Sequence, residues 1–205
     1  LTEEDQRKTE QYLENLQRGS LAAQHADYGA YLASLEQRAD LRPFEPDTLD
    51  RVTQLINKTN QFNLTTRRMS RSEVEALLGR DDVLTASVRL VDRFGDNGII
   101  SAFSGHIEGN VLAIDLWLMS CRVFKRGVEH FLANRMFAKA KDAGVEWVRG
   151  EYIPTSKNRI VERFYAELGF AANGTAQDGA ASWLLRLDDF RPLPVYIAPM
   201  EGVGP

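Results

Sequence analysis

Near residue 83 the spacing of apolar residues changes from one in three or four to one in two. Upstream, "DTLDRVTQLINK" places Leu49, Val52, Leu55 and Ile56 on one helical face. Downstream, "DVLTASVRLVDRFGDNGIISAFSGHIEGNVLAIDLWLMS" reads as three extended segments. Turn signals at "FGDNG" and "IEGN" separate them, which predicts an antiparallel meander. Side chains recur every 3.6 residues on a helix and alternate faces on a strand, so no single element type can serve both halves. A chain with this junction must lay helices against a sheet.

The remaining segments extend that pattern. Residues 1–40 read as helical and polar. "TEED" forms a capping box from Thr2 to Asp5, Gly19 ends the first helix, and Ser20 opens a second running to about Ala39. Two prolines in "LRPFEPD" break the pattern before a third helix capped by Asp47. After "NKTNQFNLTTRRM" comes a short helix with a second capping box, Ser70 to Glu73, and Gly79 as its stop. Past the meander, a helix following Gly127 turns Val128, Phe131, Leu132 and Met136 inward. "GVEWVRGEYI" is a strand. "SKNRIVERFYAELGF" is a helix with Ile160, Val161, Phe164 and Leu168 inward and Gly169 at its end, and "ASWLLRLDD" is a last strand. The expected order is a helical lead followed by βββ-α-β-α-β. This is an α/β chain of the α+β sandwich kind, with a mixed, mostly antiparallel sheet flanked by helices. The expected division is a helical lead or connector over 1–57 and the sheet domain over 58–205.

Composition excludes several classes. The chain has 205 residues and a formal charge of −4, which argues against general nucleic-acid binding. No apolar run approaches the roughly 20 residues needed to span a bilayer, so no membrane partner is expected. A single cysteine forms no internal disulfide, and the N-terminus lacks the basic-then-apolar pattern of a signal peptide, so a cytoplasmic location is expected. No metal is expected, because no paired His, Cys or carboxylate spacing of ligand type is present. There is no Gly-rich dinucleotide loop and no P-loop. The chain lacks an initiator Met, as a trimmed chain or a fragment of a longer one would.

That one cysteine, Cys121, stands where the third strand ends and a turn toward a helix begins, beside Arg122, Lys125 and Arg126. Strand alternation places it on the Asp115/Trp117 face, opposite Ile114, Leu116 and Leu118. Free N–H groups at a helix N-terminus and nearby cations favour negative charge, and thiolate is the nucleophilic form of cysteine. The competing reading is a small buried hydrophobe. Arg122, Lys125, Arg126 and the turn's N–H groups also suit a phosphate or pyrophosphate, or form a solvated basic turn.

The order of elements, with "RVFKRG" between strand and helix and "NRIVERFYAELGF" near the end, resembles the GNAT acyltransferase fold. In that family the turn reads Arg/Gln-x-x-Gly-x-Gly/Ala and cradles the pyrophosphate of coenzyme A. Arg122 matches the first position and Gly127 the last, while Lys125 replaces the middle glycine. A longer resemblance, carried by "NKTNQFNLTTRRM", "DRFGDNGII", "SCRVFKRGVE" and "PTSKN…FYAELGF", is to the C-terminal part of the FkbH-like proteins of polyketide pathways. These carry an N-terminal HAD-type phosphatase domain, whose Asp-x-Asp motif is absent from this chain.

The FkbH-like resemblance implies a glyceryl (hydroxyacyl) transferase that takes its acyl group from 1,3-bisphosphoglycerate. It implies delivery to the phosphopantetheine thiol of an acyl carrier protein, with a phosphatase domain upstream or in trans. No cofactor of the domain's own is implied. Cys121 then attacks the acyl phosphate and holds a glyceryl thioester. The alternatives are a coenzyme A-dependent GNAT N-acyltransferase and a noncatalytic module that docks a carrier.

Further candidates follow from chemistry and position. His106, in "SGHIEG", is a general base for a thiol or a locally bonded strand-end histidine. His25 and His130 read as solvated. Asp115 orients a base, binds a glyceryl hydroxyl or pairs with Arg122. The amides and hydroxyls of Asn60, Gln61, Asn63 and Thr65 suit a polyol, and Arg67 and Arg68 suit a phosphate or a carrier's acidic surface. "FGDNG" is a tight turn in which the FkbH-like resemblance singles out Asp96 and Asn97. Thr155, Lys157 and Asn158 precede a helix and bind an anion or cap it. Tyr165 occupies the position where GNAT enzymes often carry a general acid, or else pairs with Phe164 in the core.

Overall fold

The computed structural model describes residues 3–24 and 27–200, so the capping box at Thr2 and the call on His25 lie outside the described residues. The meander is present as β3 (Val83–Asp92), β4 (Gly95–Glu108) and β5 (Val111–Met119), each antiparallel to the next. The sheet contains more than the meander. Its strand order is β7-β8-β6-β5-β4-β3-β1-β9, with β2 (Phe62–Asn63) paired to the end of β5. Here β1 is Gln37–Arg42, β6 Trp147–Tyr152, β7 Ala171–Thr175, β8 Ala181–Arg186 and β9 Ile197–Pro199. Among the described residues, only β5·β6 and β1·β9 are parallel.

Helices cover both faces. On one side α3 (Leu49–Lys58) buries Leu49, Val52, Leu55 and Ile56, the four residues its spacing selects, against Leu116, Leu118 and Ala102. Next to it α4 (Arg71–Glu75) starts with both bonds of the Ser70–Glu73 capping box. On the other side α5 (Val128–Asp142) packs Val128, Phe131, Leu132 and Met136 into the larger core. Trp117 sits at that core's centre. It is fully buried, with Phe164, Phe103 and Phe137 edge-on at 4.8, 5.4 and 6.1 Å between ring centroids.

Five expectations need correction. Gly19 does not end the first helix: α1 (Glu3–Gln24) runs through it. The second helix is only α2 (Tyr28–Ser34), after which Glu36, at φ 53°, turns the chain into β1. Since β1 pairs with β3 and α3 packs on the sheet, the sheet domain's own elements begin at Gln37, ahead of the expected boundary at 58. The helix expected over 156–170 is a 3-10 turn (Arg159–Val161) and a short α6 (Phe164–Glu167), with Ile160 exposed rather than inward. The N-cap of α3 is Thr48, not Asp47.

A sixth difference lies within β5. The β4–β5 register passes from Ser104↔Leu116 to Gly105↔Ile114, leaving Asp115 unmatched as a β-bulge. Alternation resets there. Leu112, Ile114, Trp117 and Met119 belong to the α5-side core, and Leu116 and Leu118 to the α3-side core. Asp115 and Trp117 therefore stand on opposite faces, not on one.

Candidate active site

Beyond the bulge, β5 and β6 pair only at Val111–Ala113 with Trp147–Arg149 and then diverge. The chain fills the gap itself. Phe62 and Asn63 pair with Met119 and Leu118, Leu64 N–H donates to Trp117 O, and Ile153 N–H donates to Leu64 O. Asn158, with no exposed surface, fastens this bridge. Its Nδ2 donates to Asn63 O and Ile153 O, both at 2.9 Å, and its Oδ1 accepts from Thr155 N–H at 2.8 Å and from the Tyr152 hydroxyl at 3.3 Å. Asn63 is equally enclosed, with Nδ2 donating to Thr59 O and Oδ1 accepting from Thr66 N–H. Thr65 donates its hydroxyl to Asp115 O, the carbonyl of the bulged residue. Asn63, Thr65 and Asn158, proposed from sequence as ligand groups, thus spend their polar atoms on holding the bridge. Thr155 accepts from Lys157 and Asn158 N–H, the capping alternative.

A cleft of about 830 Å³ opens beside the bridge, at the end of β5. It is lined by Met119, Ser120, Cys121 and Arg122, by Arg51, Gln54, Leu55 and Lys58 of α3, by the loop Thr59–Phe62, and by Ser156 and Lys157. The thiol of Cys121 is exposed. It begins a 3-10 turn (Cys121–Val123) capped by the Ser120 hydroxyl, and is not adjacent to the first turn of α5 as expected. Four of the lining side chains are cationic and none is a carboxylate. Asn60 and Gln61 are in this cleft, and Asn60 Oδ1 also accepts from Arg68.

Several expected members stand elsewhere. His106 and Asp115 line a second cleft of about 540 Å³ with Arg67, Glu108, Arg149 and Glu151, and neither lines the cleft of Cys121. The bridge stands between them, since residues 62–65 run alongside β5 from Met119 back to Asp115. His106 Nδ1 and Nε2 lie 2.6 Å from Asp115 Oδ2 and 2.6 Å from Glu108 Oε1. The bond to Asp115 and then that to Glu108 raise its pKa above the ordinary value against the opposing effect of burial. Arg67 pairs with Glu151 at 2.7 Å and donates to Asp115 O. Asp96 pairs with Arg89. Asn97 is buried, and its carbonyl accepts from Arg122.

Arg126 is a correction of a different kind. It points into the protein, where its Nη1 meets Asp92 Oδ2 at 3.1 Å and its Nη2 donates to Arg122 O. Burial, then the charge of Arg18, lower its pKa. Asp92, its side chain fully buried, also takes Arg18 of α1 in a two-pronged pair at 2.6 and 2.9 Å and accepts Phe94 and Gly95 N–H. Arg126 therefore ties the turn to α1 and to the β3–β4 connection, and it is not available to phosphate. Arg68 is likewise spent, donating to Ile56 O and Thr59 O at the end of α3. Tyr165 is sealed in the core, and burial raises its pKa.

Sequence reasoning missed Arg51, Gln54 and Lys58. A signal existed: on α3 they fall between the apolar positions that face the sheet. What they face depends on where β5 ends, and the pattern of α3 does not contain that.

In the turn from β5 to α5, Lys125 adopts φ 63° and Gly127 φ 87°, both left-handed, so a lysine takes the conformation a glycine favours. The order of elements and the mostly antiparallel sheet flanked by helices are those of the GNAT fold. Comparison with solved structures agrees. The ribosomal-protein-S18-alanine N-acetyltransferase from Escherichia coli superposes with a TM-score of 0.55 at 13% identity, covering 73% of this chain and 94% of that one. The GNAT domain of S. lividans PAT gives 0.55 at 16%, covering 71% and 89%. Spermidine N-acetyltransferase from Vibrio cholerae, in complex with CoA and spermine, gives 0.55 at 13%, covering 74% and 96%. No protein-family pattern and no curated protein matches this chain. At these identities the likeness establishes the fold alone.

Proposed function

We propose that this chain is an acyltransferase in which Cys121 receives an acyl group from a small phosphorylated donor and passes it to the phosphopantetheine thiol of an acyl carrier protein. The observation that carries the reading is the exposed thiol in a cleft with four cations and no carboxylate. In the first step the Cys121 thiolate attacks the carbonyl of an acyl phosphate. A C–S bond forms, the C–O bond to phosphate breaks, and inorganic phosphate leaves with the electron pair. In the second step the carrier's thiolate attacks the Cys121 thioester, a new C–S bond forms, and the Cys121 thiolate departs. Two easier steps replace one. The FkbH-like resemblance names the donor as 1,3-bisphosphoglycerate and the product as a glyceryl thioester, a phosphatase domain upstream or in trans removing the remaining phosphate. The setting is a cytoplasmic polyketide pathway. The carrier approaches the Cys121 cleft rather than the Arg67–Arg68 loop, since both arginines there are engaged. Intact-mass analysis after mixing with 1,3-bisphosphoglycerate tests the reading. The expected result is one hydroxylamine-sensitive adduct on the native chain and none on Cys121→Ala.

A second reading is direct transfer from acyl-coenzyme A, favoured by the left-handed pair Lys125 and Gly127 in the turn. Saturable binding of acetyl-CoA, with acyl transfer undiminished in Cys121→Ala, selects it over the thioester route.

A further inference from the structure

Several arginines of this chain are neutralised by acids: Arg18 and Arg126 share Asp92, Arg67 meets Glu151, Arg80 meets Asp82, and Arg149 meets Glu108. The two arginines of the Cys121 cleft are not. Arg51 of α3 donates to Gln54 Oε1 at 2.7 Å and Ile99 O at 3.1 Å. Arg122 donates to Ser120 Oγ at 3.4 Å and Asn97 O at 3.5 Å. Among the described residues neither has a carboxylate partner, and both line one cleft. Burial, then the charge of Arg122, lower the pKa of Arg51, so the two cations oppose one another. Neutral acceptors hold each guanidinium in place without neutralising it. Lys58 and Lys157 line the same cleft, adding to the positive potential.

We propose that Arg51 and Arg122 form a two-armed binding site for the phosphoryl group of the ligand that approaches Cys121. This rests on reading the cleft as the donor site. A phosphate oxyanion between two planar guanidiniums accepts charge-assisted bonds from both and relieves their repulsion. The anchoring bonds to Gln54, Ile99, Ser120 and Asn97 mean that little side-chain freedom remains to be lost on binding. The same chemistry fits a phosphomonoester on a small acyl donor and the phosphodiester of a pantetheine arm.

The test measures how ligands protect Cys121 from alkylation by iodoacetamide in the full chain. The arms are 3-phosphoglycerate, glycerate and coenzyme A. Saturable protection by 3-phosphoglycerate, with none by glycerate, is expected. Arg51→Gln and Arg122→Gln should each raise the half-protecting concentration at least about tenfold, in line with loss of a charge-assisted bidentate contact. Arg51→Lys and Arg122→Lys keep the charge without the fork, should fall between, and guard against a folding artefact. Arg80→Gln should change nothing. Protection by coenzyme A alone, lost in the same variants, supports the phosphate site and assigns it to the pantetheine arm. Equal protection by glycerate, or Gln variants that match the native chain, overturns the proposal. If the variants lose protection while the native chain forms no acyl adduct, the phosphate site stands and the thioester reading fails. If the adduct forms and the variants are unaffected, the reverse holds.

Discussion

Replacing Asp92 with Asn should be among the most destabilising single changes available to this chain. The carboxylate is buried and holds two guanidiniums that are themselves 4% and 6% exposed, Arg18 and Arg126. It also accepts the N–H groups of Phe94 and Gly95 at 2.9 and 3.1 Å. Asn keeps the shape and one acceptor oxygen, so those turn bonds largely survive. What goes is the shared negative charge, leaving two buried cations beside one another with only Glu14, 3.5 Å from Arg18, as a remaining counter-charge. Breaking a buried pair by removing one partner costs about 3–5 kcal/mol. A domain of ordinary stability has about 5–15 kcal/mol to lose. With a urea slope of about 2 kcal/mol/M, the midpoint should fall by about 1.5–2.5 M. Arg18→Met is the paired control. It removes one cation, leaves Asp92 with Arg126, and should cost less than Asp92→Asn. Urea titration followed by far-UV circular dichroism reads both. A loss below about 1 kcal/mol for Asp92→Asn, or a larger loss for Arg18→Met, would refute the idea that the carboxylate compensates two buried charges.

Three other outcomes can be checked directly. Cys121→Ala, at an exposed site, should leave stability within about 0.5 kcal/mol of native by thermal melting while abolishing the acyl adduct. Asn158→Ala strands the partners of a fully buried amide and should cost about 2–4 kcal/mol in chemical denaturation; a loss under about 1 kcal/mol would show that the bridge does not depend on it. His106 should titrate above its ordinary pKa of about 6.5 by NMR, and Asp115→Asn should lower the midpoint. Because the folded-state pKa is the higher one, its contribution to stability is fully present below the ordinary value and fades as pH rises through the raised value. An unchanged midpoint in Asp115→Asn would remove Asp115 as the main cause.

Much of the architecture was legible because it rests on periodicity. The spacing of Leu49, Val52, Leu55 and Ile56 identified the buried face of α3 fully. The Ser70–Glu73 box and the meander followed from local rules. The strands β1, β2, β7 and β9 escaped for a shared reason. They are short or at the sheet's margins, with burial patterns too irregular to alternate cleanly, as in the fully exposed β7. At the site, Cys121 stands at the end of β5, and the cleft beside it is lined by Thr59–Phe62 of the expected "TNQFN" loop but not by Asn63. Sequence reasoning misassigned Arg126, Asn63, Thr65 and Asn158, because nothing in a side chain's type tells whether its hydrogen bonds go to a ligand or to the protein's own backbone. The separation of His106 and Asp115 from Cys121 follows the bridge that residues 62–65 lay along β5, which the apolar pattern of β5 does not show.

The unmatched residue of β5, Asp115, is one the two cores do not need. Deleting Asp115 would join Ile114 directly to Leu116, and Trp117, Leu118 and Met119 would keep the layers they now occupy, because the residues on either side of the bulge already alternate without it. What would go is local: the carbonyl that accepts from Thr65 and Arg67, and the carboxylate beside His106. The length of β5 is therefore free to change by one residue at this point without repacking either layer, and the second cleft alone would register the loss.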